Sequence, residues 1–477
     1  MNAPDATARG LLRSSSAATL AQLWRMGLLL GTNLVLRRLL APGEWGIWTW
    51  AESVFLILAA VRDLGVPSHV VRLRPSPFGS LLAVEGVWGA AVAAGVAISA
   101  PLLARLAAEP MQPAVVPVLQ ALAVYLLLEG VAAVPLTYLE AELRVQRTLL
   151  PEFLRGATYC AVTIALALSG RGVWSIVWGQ IAAVAVYATA LWLATWREMP
   201  LLAVPAGELP RLVRDALPVG SVWFLQLAVV YLDGLVVGWR FAPVAVGEYG
   251  FALLCALLAT RVMQQPVARA LYPAFVALRD DPRRKFEAYR LGTLVLAALE
   301  VPAAALLAVN ADLAVRLLGG SQWVTAPGFL RILAFAPLVD LFGRFGGELL
   351  IALHRDRVRV VSLVASLGSI GVAGVLLTGW MGPSGMAWAR YLPLGALVVA
   401  WAVHRVDPAG FRRLAADLGG IVLVAAPLFA AVWALGPAAP WPRLGLSLAA
   451  AAGSLAVSWW RFGADFRAFF GHRAGAQ

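Results

Sequence analysis

ALPVGSVWFLQLAVVYLDGLVVGWRFAPVAVGEYG, residues 216–250, is a long apolar run with one carboxylate, Asp233, near its middle. It closes with a short turn and the tetrapeptide Gly247-Glu248-Tyr249-Gly250. An earlier version of that ending, Gly43-Glu44-Trp45-Gly46, follows the first apolar run of the chain. Each copy sits just beyond an arginine and a proline, Arg38 and Pro42 in one case and Arg240 and Pro243 in the other. All four positions of the tetrapeptide keep the same offset between the copies, so the sequence reads as one helical unit written twice.

The composition agrees with that reading. A chain of 477 residues that is 61% hydrophobic and only 13% charged has more apolar surface than a soluble protein of its size can hide. The expected class is an all-α polytopic membrane protein. The net charge of +12 would suggest nucleic acid in a soluble chain, but here the basic residues lie in short segments between apolar runs, the pattern of membrane topology signals. No nucleic-acid partner is expected. Cys160 and Cys255 both lie within apolar runs and serve as small hydrophobes, with neither a disulfide framework nor a metal site implied. The N-terminal segment has no compact signal-peptide core followed by a small-residue cleavage site, so the first span is expected to be retained.

A spanning helix needs about 20 mostly apolar residues, and by that yardstick about fourteen spans are expected. A cytoplasmic N-terminus at 1–14 leads into a six-helix bundle at 15–196, whose first span is 15–39. A linker at 197–212 precedes a second six-helix bundle at 213–404. That bundle includes an eighth span at 245–275, a ninth at 291–318, a tenth at 326–353 and a twelfth at 383–404. A linker at 405–413, two further spans within 414–461 (414–435 and 441–461) and a cytoplasmic tail at 462–477 complete the chain. With the N-terminus inside, basic residues favour the cytoplasmic segments by roughly three to one, which the positive-inside rule predicts when both termini are cytoplasmic. Six spans per unit make the repeat parallel, and two such bundles are expected to enclose a central cavity suited to alternating access.

Arg25, Arg261, Arg269, Arg344 and Arg390 fall well within the expected spans. Arginine at mid-bilayer costs at least about 2.5 kcal/mol, so such residues normally face a bundle interior or a wet cavity. Gln22, Arg25, Thr32 and Asn33 share one stripe of the first span, and Gln226 and Asp233 lie two turns apart on the seventh. The eighth span carries Arg261, Gln264, Gln265 and Arg269 around Pro266, where a helix break is expected. Asp340, Arg344 and Glu348, at i, i+4 and i+8, are spaced to pair along one face, as a structural ladder or as a functional one. Glu52, Glu85, Glu129 and Glu300 are candidate carboxylate partners for the arginines.

Two stretches carry a family resemblance. Leu39-Leu40-Ala41-Pro42-Gly43-Glu44-Trp45-Gly46, then an apolar span and Arg62-Asp63-Leu64-Gly65, resembles the start of bacterial polysaccharide-transport proteins. The second half is similar to the same family at Tyr231-Leu232-Asp233, at Val246 to Gly250 and at Tyr272-Pro273-Ala274. The family includes O-antigen and exopolysaccharide flippases, within the superfamily of multidrug and polysaccharide exporters that also holds the lipid II flippases. The resemblance implies a flippase moving an undecaprenyl-diphosphate-linked oligosaccharide across the bacterial inner membrane, with a polymerase or ligase downstream and no cofactor.

On that reading Arg25, Arg261, Arg269, Arg344 and Arg390 are the diphosphate contacts, since arginine offers phosphate a planar, always charged fork. Gln22, Asn33, Gln226, Gln264 and Gln265 line the path and bond sugar hydroxyls. Asp233, Asp340 and Glu52 serve as ion-pair or coupling groups. Two other classes compete: a multidrug or cation antiporter, which would want cavity carboxylates and few arginines, and a membrane glycosyltransferase or polymerase, which would want a large external loop. The outside loops are short, and no HExxH, P-loop or Cys/His ligand pattern occurs, so no enzyme is expected.

Overall fold

The computed structural model describes residues 27–28, 31–73, 76–202, 207, 209–278, 281–353, 355–434 and 440–471. Among these residues the chain is helical and without strands. Twelve helical stretches among the described residues, some of them joining two or three helices, are long and apolar enough to cross a membrane. The first expected span falls largely outside the described residues, so its described end, 31–39, is α1 here. Together with α1 and a long C-terminal helix, the twelve are consistent with about fourteen spans.

Contacts divide the chain into two compact units, Met1–Gly247 and Glu248–Gln477. The first contains α1, α2 (Pro42–Asp63), α3 (Val66–Val70), α4 (Phe78–Ala104), α5 (Gln112–Ala141), α6 (Leu149–Leu168), α7 (Val173–Thr195) and α8 (Leu209–Arg240). α2 starts at Pro42, where a missing N–H costs nothing, and Glu44 reaches back to accept from the Ala41 N–H at 3.0 Å. It stops at Leu64 and Gly65, both in the left-handed region, and the Gly65 N–H donates to Asp63 Oδ1 at 3.3 Å. The Asp-Leu-Gly turn is therefore a helix terminator.

α8 packs along α2 and is brought close by small residues. Gly234 lies against Ser53 and Gly238 against the Trp50 ring, where an added Cβ would sit 2.0 Å from each. The twin motifs meet at the same end. A Cβ on Gly46 would fall 1.7 Å from the Pro243 carbonyl, and one on Gly247 would fall 1.9 Å from the Pro42 carbonyl. The two Pro-x3-Gly segments are thus reciprocally interlocked, each glycine facing the other segment's proline.

α9 (Pro243–Ala277) leads into the second unit. There follow α10 (Pro282–Val309), α11 (Ala311–Gly319), α12 (Ala326–Leu333), α13 (Ala336–Val339), α14 (Leu341–Ala352), α15 (Asp356–Met381), α16 (Ser384–Ala389), α17 (Leu394–His404), α18 (Pro408–Ala434) and α19 (Pro440–Gly471). α10 is the buried axis of this unit, packed by α14, α18 and α19 around Tyr289, Leu296, Phe345 and Ile421.

Five features differ from the sequence expectation. α9 runs unbroken through Pro266, because one lost hydrogen bond does not end a helix whose other i→i−4 bonds persist. The tenth span is broken instead, into α12, α13 and α14, around Pro337 and Asp340. The twelfth divides between α16 and α17 at Arg390 to Pro393. The ninth begins earlier, at Pro282, and ends at Val309, with α11 as a separate piece. At the C-terminus, α19 continues to Gly471 rather than stopping at 461.

Candidate functional site

In the second unit the two broken spans lie side by side, α12 against α16 and α14 against α17. The Tyr391 hydroxyl donates to the Ile332 carbonyl at 2.6 Å and ties one break to the other. Arg344 projects from α14 back over its own break, donating to the Pro337 carbonyl and forming an ion pair with Glu300 of α10. The Arg344 and Glu300 side chains are 9% and 3% exposed, so the pair is desolvated. Asp340 lies within electrostatic reach of both Arg344 and Arg390. Two carboxylates and two guanidiniums thus converge where backbone carbonyls are freed by the breaks, a place where irregular backbone is tolerated only if protein or water satisfies it.

The ladder Asp340, Arg344, Glu348 does not close on itself. Arg344 takes Glu300, and Glu348 pairs with Arg359 at 3.7 Å. α9 faces the same region through a small void of about 10 Å³, lined by Thr260, Met263, Glu300 and Pro337. On α9 itself Arg261 and Gln265 are exposed and Gln264 is half-buried, a polar stripe standing off the apolar cluster to which Met263 and Val267 belong. Arg269 lies one further turn pair along α9, and its side chain is outside what is described. Arg25 and Gln22 lie outside the described residues.

The first unit has its own charged interior. Asp233 is fully buried on α8, beside the glycine that meets Ser53 of α2. Gln226, on the same helix, and Asn33, on α1, are half-buried. Thr32, beside Asn33, donates to its own helix at the Leu28 carbonyl, 2.7 Å away. Glu52 lies within electrostatic reach of Arg37, whose guanidinium stacks 3.6 Å over the Trp45 ring.

Two further arginines sit inside this unit, although the sequence pattern assigns them to cytoplasmic segments. Arg62, in the last turn of α2, pairs with Glu85 of α4, both side chains being less than a tenth exposed. Arg155 of α6 donates to the Tyr125 hydroxyl at 2.8 Å, lies 3.9 Å from Glu129 and stacks on Tyr187. The available signal was complementarity: Arg62 and Glu85 stand near the same end of neighbouring spans. At the loops, Arg144 and Arg147 both donate to Glu198, at 2.6 and 2.8 Å. That clamp, led by the Arg147 hydrogen bond, holds the Glu198 carboxyl below its ordinary value. Among the described residues no cluster of His, Cys, Asp and Glu is arranged to hold a metal.

This arrangement can bind anions and exchange ion pairs, and known proteins share its architecture. The chain is similar to the succinoglycan biosynthesis transport protein ExoT of Rhizobium meliloti (strain 1021), with 24% identity over 90% of this chain and 86% of that protein. Among solved structures it resembles the lipid II flippase MurJ in an inward closed conformation, with a TM-score of 0.76 at 11% identity over 94% of this chain and 99% of that one. It also resembles an inward-facing MATE family multidrug transporter, with a TM-score of 0.63 at 14% identity over 83% and 96% of the two chains. The chain therefore shares the fold of both structures. Residues 35–327 match the family model described as polysaccharide biosynthesis protein, and the chain belongs to that family.

Proposed function

We propose that this protein is a flippase that moves an undecaprenyl-diphosphate-linked oligosaccharide from the inner to the outer leaflet of the bacterial cytoplasmic membrane by alternating access. The observation that carries this reading is the desolvated Arg344–Glu300 pair beside Asp340 and Arg390 at two adjacent helix breaks. A buried pair of this kind is weak evidence for stability, since well-packed apolar residues often do as well. Its value lies in exchange: a diphosphate can replace the carboxylate on the guanidinium, and the freed carboxylate can then take up a proton or cation. Family membership and the printed functions of ExoT and MurJ support a lipid-linked glycan as cargo.

In this account Arg261, Arg269, Arg344 and Arg390, with Arg25, bind the diphosphate. Gln22, Asn33, Gln226, Gln264 and Gln265 bond the sugars. Asp233, Asp340 and Glu52 compensate the arginines when no substrate is bound. The substrate-bound and empty states then differ in their contacts, which is what a shift between inward and outward forms requires. Both termini lie in the cytoplasm, and a polymerase or ligase consumes the product on the far side. Deletion should accumulate the lipid-linked oligosaccharide on the inner leaflet, measured by its inaccessibility to an external glycosidase in spheroplasts. Unchanged leaflet distribution together with new sensitivity to cationic drugs would favour the antiporter reading instead.

A further inference from the structure

α10, α12, α13 and α18 leave an apolar slot of about 400 Å³ between them, lined by Val301, Ala305, Val309, Phe335, Phe429 and Trp433 among others. It is open on the α18 side, where Val422 and Trp433 are exposed. From Val301 to Val309 it follows α10 for roughly 12 Å at 1.5 Å per residue. At that end Val309 is shared with a second cavity of about 230 Å³, lined by Asn310, Asp312, Arg316, Pro440 and Arg443. The two cavities are also joined by charge, because Arg331 lines the slot and pairs with Asp312 of the pocket.

The carboxylate in the pocket is therefore already answered from the slot side, while Arg316 makes no ion pair among the described residues. Arg443 adds a second guanidinium to the wall. The buried floor is rigid: the Asn310 amide donates to Ser447 Oγ at 3.0 Å and to the Leu306 carbonyl at 2.9 Å. Pro440 begins α19 at the rim, which brings the positive end of a long helix to the same place. A basic pocket at the end of an apolar slot that opens sideways matches an amphiphile with one anionic head. The pocket is too small for an oligosaccharide, which separates its occupant from the cargo proposed above.

We infer that these joined cavities hold one anionic glycerophospholipid, its phosphate between Arg316 and Arg443 and an acyl chain in the slot. The test uses the full-length chain in mild detergent, titrated with phosphatidylglycerol and followed by native mass spectrometry, with inorganic phosphate as competitor. Wild type should bind one phosphatidylglycerol, and Arg316→Ala/Arg443→Ala should bind it roughly tenfold more weakly. Ala426→Trp, an exposed position on the slot wall, should weaken the lipid to a similar degree without unfolding the unit. Equal lipid retention by wild type and both variants would overturn the inference. So would displacement of the lipid by inorganic phosphate with Ala426→Trp behaving as wild type, since the pocket would then be a free-phosphate site.

Discussion

At the residue scale, the chain's charges are organised by desolvation. Arg62 and Glu85 are buried together, so removing one partner leaves an uncompensated charge in an apolar bundle. Arg62→Ala should destabilise the protein by about 3–5 kcal/mol, whereas Arg62→Met with Glu85→Leu should recover most of the loss; thermal unfolding in detergent measures both. Glu198 behaves differently because it is exposed at a loop. Its carboxyl is depressed below the ordinary 4.5, so the clamp on Arg144 and Arg147 is fully present above that pH and is lost as pH falls through the depressed value. The stability difference between wild type and Glu198→Gln should therefore be constant from neutral pH down to about 5 and should vanish under more acidic conditions, as read from unfolding midpoints across a pH series.

Arg344 shows what is legible in sequence at this scale and what is not. Its presence within a span marks it for attention, and Glu300 belongs to the short set of candidate partners. Helical spacing alone favours Asp340 and Glu348, because i, i+4 geometry is visible in a sequence and a contact from α10 is not. Arg62 and Arg155 were hidden for a related reason. Charge near a span end reads as a topology signal, and only the packed neighbours reveal whether the side chain turns outward or inward.

At the element scale the repeated tetrapeptide is a packing device. Pro42 and Pro243 each begin a helix, and Gly46 and Gly247 let the opposing segment approach to backbone contact. Gly46→Ala should cost about 1–3 kcal/mol or more through overpacking, since the new methyl meets a carbonyl that cannot move away as a flexible side chain would. Gly43→Ala should be nearly neutral, its neighbour being the Val244 methyl at 3.5 Å. Expression level and unfolding temperature of the two variants, compared in one host, check the contrast. The sequence displayed both copies of the motif, but the contact between them depends on α8 returning along α2, which no local pattern encodes. Proline was similarly ambiguous. Pro266 is accommodated within a continuous α9, whereas the span that carries Pro337 and Asp340 is interrupted twice over a short distance, at 334–335 and at Asp340. One proline removes one hydrogen bond; several helix-weak residues together remove the reason to continue.

At the scale of the whole molecule, hydropathy and charge distribution sufficed for the class, because a bilayer leaves few architectures that satisfy the backbone. The order of the helices followed from apolar runs, and two of the motifs behind the family resemblance, at Pro42 and at Asp63 to Gly65, proved to be a helix start and a helix stop. The proposed function requires that guanidinium groups within the spans bind the lipid diphosphate as it crosses between leaflets. Arg261 and Arg390 test it most directly, since neither is the partner of the desolvated Glu300, and Arg261 is exposed. The decisive measurement is export of the lipid-linked oligosaccharide in a deletion strain carrying Arg261→Ala with Arg390→Ala, with membrane protein levels matched to wild type. Export should fall by roughly tenfold or more, with the glycan retained on the inner leaflet. Export at the wild-type rate would contradict the proposed function.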